Sequence, residues 1–240
     1  MKLMGNTKED SQSNPNPWQC FPMRHALAPI LALFLFPSIA MGDSVSADDL
    51  VKRKGLYYKE FTDHPFTGKT TGPYENVSYR DGRKHGPFVY YYSNKKVNYK
   101  GTYKDGKEDG PSVSYHDNGQ LEYKGTYQDG MAVGSWVFYH DNGQLRSEVT
   151  FKDHKREGPF VRYHKNGQLE TKGNYKNGAK DGPWVRHRKK GQLEYIGPYK
   201  DGKKEGPWVS YDQKGKAFDV GIYKDGKKVS DSVSPSILKR

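Results

Sequence analysis

The chain has 240 residues and a formal net charge of +12, from 40 Lys and Arg against 28 Asp and Glu. From Asp43 onward, Leu, Ile, Val and Phe supply only 32 of 198 residues. This composition excludes a helical bundle, a doubly wound α/β enzyme and any other fold that needs a thick aliphatic core. All 19 tyrosines lie after residue 56 and recur regularly, so aromatic side chains must supply the apolar area that folding buries.

The N-terminal segment has the layout of a secretory signal. Arg24 and His25 precede the apolar run 26–40, which small residues follow. A basic region, an apolar run and a small-residue cleavage site are typical of an exported chain. We expect translation to start at Met23, cleavage near 40/41 or 42/43, and a secreted or periplasmic protein; an uncleaved anchor is the alternative. The single cysteine, Cys20, precedes the run, so we expect no disulfide in the mature chain.

A 24-residue period runs through the rest of the chain. Gly-Pro pairs recur at this spacing, Gly134-Ser135 fills one gap, and valine occupies the fourth place of every unit. We therefore predict an extension and signal over 1–42, a lead-in with degenerate hairpins over 43–85, six full repeats over 86–229 and a polar tail over 230–240. The Gly-Pro pairs begin at Gly86, Gly110, Gly158, Gly182 and Gly206.

Each repeat contains two turn signals. One resembles Lys165-Asn166-Gly167 and the other resembles Lys200-Asp201-Gly202. Asn-Gly and Asp-Gly between short alternating runs predict β-hairpins, because glycine accepts a positive φ without a Cβ clash. We interpret both turns as three-residue loops that end in a left-handed glycine. Lys95 fills this glycine's place in the first repeat, so either the turn is distorted there or Asn94 and Lys95 adopt a strained left-handed backbone.

The choice of three-residue loops also predicts which side chains share a face of the sheet. One face would carry Val161, Tyr163, Leu169, Gly173 and Tyr175. The other would carry Glu170 and Lys172 with Arg162 and His164. This register gives the better match to alternating apolar and polar positions.

Two strands per repeat predict an all-β fold. We expect an elongated antiparallel meander of stacked β-hairpin repeats, in which each hairpin contacts only its neighbours. Proline has no N–H to donate to a ladder, so the Gly-Pro pairs are predicted to mark bulges.

Two segments make a family resemblance specific. Tyr-Lys-Asp-Gly-Lys-Lys-Glu-Gly-Pro-Trp-Val-Ser-Tyr (199–211) and Asn-Gly-Gln-Leu-Glu-Tyr-Lys-Gly-Thr-Tyr (118–127) resemble MORN repeats, in the variant form of the YwqK-type antitoxin proteins. The lead-in over 56–68 resembles that group as well. The resemblance implies a sheet of hairpins used as a scaffold, with another protein, such as a toxin, as the partner.

No residue pattern in the chain predicts catalysis. The nucleophile elbow, the Walker-type phosphate loop and the His-Glu-x-x-His motif are missing from the sequence. His116, His140 and His164 hold the same place in three repeats, but two strands separate them by about 9–10 Å. Ligand nitrogens must lie about 2 Å from a shared metal, so we interpret the column as a solvated row. We expect a non-catalytic protein without metal or cofactor.

An aromatic column occupies the third place of the repeat, and it has two interpretations. The first is a contiguous exposed surface for a partner. The second is a core in which each ring covers a glycine of a neighbouring strand, such as Gly173 or Gly197. The column consists of Phe88, Trp136, Phe160, Trp184 and Trp208, interrupted by Ser112.

A basic ridge follows the Asp-Gly turns. Basic arrays attract anionic lipid or other anionic polymers, whereas interleaved acids would make the ridge merely solvated. The chain does not combine stacking rings with a basic groove in the way that nucleic-acid binding requires. The ridge consists of Lys155, Arg156, Lys203, Lys204, Lys227 and Lys228.

These features favour an exported, monomeric scaffold that binds another protein. The alternative is an envelope-surface binder that holds anionic lipid or cell-wall polymer through the basic ridge and the aromatic column.

Overall fold

The computed structural model describes residues 43–231, so the predicted signal and nearly all of the predicted tail lie outside the described residues. A 3₁₀-helix, Ala47–Asp49, follows the first strand. The strands are β1 Asp43–Val45, β2 Leu50–Arg53, β3 Leu56–Lys59, β4 Gly68–Thr71, β5 Glu75–Arg80, β6 Arg83–Tyr91, β7 Val97–Lys104, β8 Lys107–Glu108, β9 Gly110–Tyr115, β10 Leu121–Gln128, β11 Met131–Tyr139, β12 Leu145–Lys152, β13 Lys155–Tyr163, β14 Leu169–Lys176, β15 Ala179–Lys180, β16 Gly182–His187, β17 Leu193–Lys200, β18 Lys203–Lys204, β19 Gly206–Tyr211, β20 Ala217–Lys224 and β21 Lys227–Ser230.

One sheet of 19 strands contains all of these strands except β2 and β3, which pair with each other. From β4 to β21 each hairpin pairs antiparallel with the next, which confirms the all-β meander. The sheet is mixed rather than purely antiparallel, because β1 runs parallel to β4 and pairs Asp43 with Gly68. The chain passes through the β2–β3 hairpin between these two strands and re-enters the sheet in the direction of β1.

The Asp-Gly turns are two-residue loops, so the interpretation of them as three-residue loops is wrong. Lys200 pairs with Lys203, and both residues between them have positive φ, 50° at Asp201 and 80° at Gly202. This is the type I′ geometry, whose twist matches that of the flanking strands. Aspartate and asparagine tolerate the first left-handed position, and glycine suits the second.

The Asn-Gly turns are three-residue loops, as predicted. His164 N–H donates to the Gln168 carbonyl, and Gly167 N–H donates back to the His164 carbonyl, each at 2.8 Å. Gly167 has φ +80°. At the equivalent place Lys95 has φ +64°, which favours the left-handed alternative for Lys95, whereas Asn94 does not have a positive φ.

A bulge after each three-residue loop reverses the predicted faces. Tyr163 pairs with Leu169 but Arg162 pairs with Thr171, so Glu170 is the extra residue. From there Val161 pairs with Lys172, and Phe160 pairs with Gly173. Val161, Tyr163, Leu169 and Lys172 therefore share one face, whereas Gly173 and Tyr175 lie on the other; the predicted grouping is wrong.

The Gly-Pro pairs lie where the ladder is interrupted, as predicted. Asp181 separates β15 from β16, and Gly182 directly after it has φ +75°. Asp109 and Glu205 separate β8 from β9 and β18 from β19 in the same way. Glycine suits the positive φ at this break. Proline can follow it because the interrupted strand needs no N–H donor at that place.

Candidate binding surfaces

The aromatic column is a buried core, which decides between its two interpretations. Phe88, Trp184 and Trp208 are each 1% exposed, and Trp136 is 4% exposed. Phe160 is half-buried. The proposal of an exposed aromatic surface is therefore wrong for these four rings. We call the side of the sheet that carries the column the Trp face.

Glycines in the neighbouring strands make this burial possible in a single sheet. A Cβ on Gly173 would lie 2.2 Å from the Trp184 ring, and one on Gly197 would lie 2.3 Å from the Trp208 ring. The rings lie flat over the backbone where these glycines leave room. Val149 holds the equivalent place in one repeat, and the residue that follows in the column is the smaller Phe160.

Cations cover the outer side of two of these rings. Lys180 Nζ lies 4.3 Å from the Trp184 ring centroid and 4.8 Å from that of Tyr199. Lys204 Nζ lies 4.4 Å from the centroid of Trp208. Burial, followed by the nearby Arg186, lowers the pKa of Lys180. These cation–π contacts close the Trp face against water.

The six residues of the basic ridge fall into two groups, those open to solvent and those engaged by rings or carboxylates. Lys155, Lys203 and Lys227 are exposed and make no ion pair with any residue that the structure describes. Lys204 belongs to the ring cover, and the Arg156 guanidinium carbon lies 5.2 Å from the Tyr175 ring centroid. Lys228 Nζ lies 3.0 Å from Asp219 and 2.6 Å from Asp231. Only half of the predicted ridge is therefore presented as unpaired charge.

The histidine column is a hydrogen-bond ladder between repeats rather than a solvated row. His116, His140 and His164 place Nε2 at 3.1, 2.9 and 3.0 Å from the carbonyl oxygens of Tyr139, Tyr163 and His187. A carbonyl can only accept, so each Nε2 carries the proton and donates. Each imidazole therefore ties its hairpin to the next one.

A second ladder joins the three-residue loops. Asn118 Nδ2 donates to the Asp141 carbonyl at 2.6 Å, and Asn142 Nδ2 donates to the Lys165 carbonyl at 2.8 Å. Asn166 Nδ2 donates to the Lys189 carbonyl at 2.8 Å. Asparagine in these loops has two uses, because its Oδ1 also accepts from the backbone two residues on, as Asn142 does from Gln144.

The other side of the sheet carries an apolar stripe that sequence reasoning missed, and we call it the Val-Tyr-Leu face. Cross-strand pairs such as Tyr139 with Leu145 and Tyr163 with Leu169 are half-buried, and no other element in the described part of the chain packs over them. The face consists of the fourth-place valines (89, 113, 137, 161, 185, 209), the sixth-place residues (Tyr91, Tyr115, Tyr139, Tyr163, His187, Tyr211) and the twelfth-place residues (Val97, Leu121, Leu145, Leu169, Leu193, Ala217).

Cross-strand neighbours on the same face bury the valines of the Val-Tyr-Leu face. Val209 pairs with Ile196 on one side and Val220 on the other, and is 0% exposed. Val161 pairs with Glu148 on one side and Lys172 on the other, and is 6% exposed. Burial, followed by Glu148, raises the pKa of the Tyr139 and Tyr163 hydroxyls.

Comparison with known proteins identifies the repeat. The model of the MORN repeat variant family matches residues 84–105, 108–129, 132–153 and 156–177, which begin 24 residues apart. The chain therefore contains four MORN repeats of the variant type within residues 84–177. Each MORN match begins just after a type I′ turn and ends inside the next one, so it contains one whole hairpin with a three-residue loop.

No curated protein matches this chain. A solved structure, described as accessory secretory protein 1, 2 and 3 from Streptococcus pneumoniae, is similar at 16% identity with a TM-score of 0.20. The match covers 55% of this chain and spans 22% of that one.

The MORN repeats bring together no metal-binding group within residues 43–231. No helix of that part of the chain is long and apolar enough to cross a membrane. What the repeats present is an aromatic core on one side, the Val-Tyr-Leu face on the other, and lysines at the type I′ turns.

Proposed function

We propose that the protein is a non-catalytic, exported scaffold that binds another protein through the Val-Tyr-Leu face. The observation that carries this proposal is the stripe of half-buried apolar side chains that crosses six hairpins without a covering layer in residues 43–231. Contiguous apolar surface of this kind marks protein interaction sites on soluble domains.

The composition of the face suits a protein partner. Tyrosine supplies a large rigid contact area with a polar tip, which is why it is enriched at the core of interfaces. The hydroxyls of Tyr139 and Tyr163 are protonated at neutral pH, and burial raises their pKa further, so they can donate hydrogen bonds to a partner's carbonyls. Lys124 and Lys172 border the stripe and favour a partner with an acidic rim.

The resemblance to YwqK-type antitoxins makes a toxin the specific partner that we propose. In that case the face would neutralise the toxin by covering it, since the hairpins offer shape and contact area rather than a reaction centre. Export would place this event outside the cytosol. N-terminal sequencing of the native protein should begin near Met41 or Asp43; a mature species that starts at Met1 would contradict export.

Binding to anionic lipid or cell-wall polymer is weakened as an alternative. It depended on the basic ridge together with the aromatic column, and four of the five column rings are buried. The binding of such a polymer or lipid would have to depend on the exposed charges of Lys155, Lys203 and Lys227. Such binding should collapse between low and physiological salt, because exposed charges are screened over about 8–10 Å.

Affinity capture from the native envelope fraction tests the proposal. The processed protein should retain a defined protein at physiological salt, and Leu145→Lys with Leu169→Lys should weaken retention by about tenfold or more. Met131→Lys is the matched control, because Met131 is exposed beside a type I′ turn and lies outside the face. Retention that survives the face variants, or that occurs on protein-free envelope fragments and vanishes with salt, would refute the proposal.

A further inference from the structure

A cleft of about 560 Å³ lies where the β2–β3 hairpin meets the first two type I′ turns of the sheet. Lys52, Lys54, Arg83 and Lys84 line it together with Tyr57 and Tyr103. We propose that this cleft binds a small organic molecule that carries a multivalent oxyanion, such as a diphosphate group. The inference is independent of the Val-Tyr-Leu face, because the hairpin packs on the Trp face of the sheet.

Backbone hydrogen bonds hold the walls of the cleft in place. Tyr57 N–H donates to the Gly82 carbonyl, Gly82 N–H donates to the Phe66 carbonyl, and Phe66 N–H donates to the Tyr57 carbonyl, each at 2.8 Å. A Cβ on Gly82 would lie 2.9 Å from Leu56 Cβ, so the hairpin rests directly on the turn. The cleft is therefore preformed, which spares a ligand the cost of ordering it.

The aromatic walls are also fixed by packing. Tyr57 contacts Tyr79 edge-on with 5.2 Å between ring centroids, and Tyr103 lies 4.4 Å from Phe88. Phe88 and Tyr79 belong to the buried cluster at this end of the sheet. A volume of this size exceeds what a single phosphate fills, and the rings can contact the organic part of a ligand.

The charge of the cleft is strongly one-sided. Four cations face one carboxylate, Asp105, which already lies 3.2 Å from His85 Nδ1. Lys52, Lys54 and Arg83 make no ion pair among residues 43–231. Arg53, between Lys52 and Lys54, does not line the cleft; its guanidinium lies 3.6 Å from the Asp63 carboxylate. Several converging cations with no protein counter-ion suit a ligand with more than one negative charge.

Lys84 is held by a hydrogen bond as well as a ring contact, whereas Lys52 has, within the described part of the chain, only its ring contact, with Nζ 5.4 Å from the Tyr57 centroid. Lys84 Nζ donates to the Tyr90 hydroxyl at 2.8 Å and lies 5.3 Å from the Tyr103 ring centroid. A cation held in this way can meet an oxyanion without losing the freedom of a mobile side chain.

The type I′ turns of later repeats carry similar cations and can be compared with the first turn, which lines the cleft. Lys155, Lys203 and Lys227 hold the place of Arg83 in later repeats, and Lys180 and Lys204 hold the place of Lys84. Those turns face only the adjacent hairpin. There Lys155, Lys203 and Lys227 are open to solvent, and Lys180 and Lys204 cover the rings of Trp184 and Trp208. What distinguishes the first turn is the β2–β3 hairpin opposite it, which adds Lys52, Lys54 and Tyr57.

Calorimetric titration of the full chain with sodium pyrophosphate at low salt tests the proposal. We expect saturable binding that Lys52→Ser with Arg83→Ser weakens about tenfold or more, because two exposed charge contacts are lost. Lys155→Ser with Lys203→Ser removes the same two charges from the ridge, so the overall field changes equally; we expect less than about a twofold change. All four side chains are exposed, so folding should be preserved.

A gain of affinity provides a second readout. Asp105→Asn removes the only carboxylate of the cleft and should tighten binding about two- to fivefold. Asn177 holds the equivalent place of a later type I′ turn, so asparagine is compatible with this backbone. The proposal fails if the wild type shows no saturable binding of pyrophosphate, if the ridge variants weaken binding as much as the cleft variants, or if only vesicles doped with phosphatidic acid bind.

Discussion

Replacing Gly173 with alanine should destabilise the protein far more than a single methyl group ordinarily does. The added Cβ would lie 2.2–2.7 Å from three atoms of the Trp184 ring, closer than any real contact. The ring cannot move aside freely, because its Nε1 donates to the Asn174 carbonyl at 3.2 Å. Tyr175 packs edge-on against it at 5.2 Å, and Lys180 covers its outer side.

The size of the effect follows from how much of the ring is expelled. A tryptophan buries about 150–250 Å², which at roughly 25 cal/mol per Å² corresponds to about 4–6 kcal/mol. Complete expulsion would also lose the hydrogen bond to Asn174, about 1 kcal/mol. Because overpacked cores relax partly, typically at a cost of about 1–3 kcal/mol, we expect a loss of about 2–5 kcal/mol.

Urea unfolding followed by far-ultraviolet circular dichroism measures this loss. Gly72→Ala is the control, since the nearest atom to its added Cβ is the Glu75 carbonyl oxygen at 3.8 Å; it should change stability by less than about 0.5 kcal/mol. Trp184→Phe should rescue Gly173→Ala, because the repeat that has Val149 at the glycine place is followed by Phe160 rather than tryptophan. The double variant should be at least about 1 kcal/mol more stable than the sum of the single losses predicts.

Two results would refute this reasoning. One is a Gly173→Ala variant as stable as Gly72→Ala, which would mean that the ring does not lie on the glycine. The other is strict additivity in the double variant, which would mean that the cost arises from the backbone and not from the contact with Trp184.

Three further predictions concern other contacts of the sheet. His140→Leu removes the hydrogen bond to the Tyr163 carbonyl and should cost about 1 kcal/mol in urea unfolding, whereas exposed His64→Leu should be nearly neutral. Lys204→Met should cost about 0.5–2 kcal/mol through the lost cation–π contact with Trp208, whereas Lys203→Met should cost almost nothing. Burial raises the pKa of Tyr123 and Tyr199 from 10.0 to about 12, so the unfolded chain loses these protons first. Titration of these two tyrosines should therefore leave the free energy of unfolding unchanged below pH 10.0 and should lower it as the pH rises towards about 12. Ionisation of both hydroxyls at the ordinary pKa in the folded protein would contradict this.

The repeat, the strand order and the positions of the turns could be predicted from the sequence because they depend on local chemistry. Asn166-Gly167 specifies its loop through the left-handed glycine and the Asn166 side chain, whose Oδ1 accepts from Gln168 N–H, and the 24-residue period requires each hairpin to pair with the next. The same logic reduced the turn at Lys95 to two alternatives, of which the structure has the left-handed one. These properties need no knowledge of what packs against the sheet.

The assignment of faces failed because alternation cannot distinguish two apolar faces. Trp184 and Tyr175 lie on one side, while Val161 and Leu169 lie on the other, so either register gives a plausible pattern. The bulge at Glu170 decides the register, and a bulge leaves no composition signal of its own. Glycine opposite the third-place aromatic was the one usable clue, since a ring needs that space to lie flat.

The cleft and the two hydrogen-bond ladders were beyond sequence reasoning for a different reason. Each depends on a contact whose geometry only the assembled sheet provides: Tyr57 with Gly82 in the cleft, and imidazole or amide groups with carbonyls 23 residues away. The histidine column was visible in the sequence, but its bonding partner was an unmarked backbone carbonyl.

The ladders also bear on how the array can change in length through gene duplication. Every rung joins a side chain to a carbonyl 23 residues ahead, as His116 does to Tyr139 and His140 does to Tyr163. Insertion or deletion of one 24-residue unit in phase brings an equivalent carbonyl to the vacated place, so no donor is stranded. Recombination between repeats can therefore lengthen or shorten the Val-Tyr-Leu face in steps of one repeat without breaking either ladder.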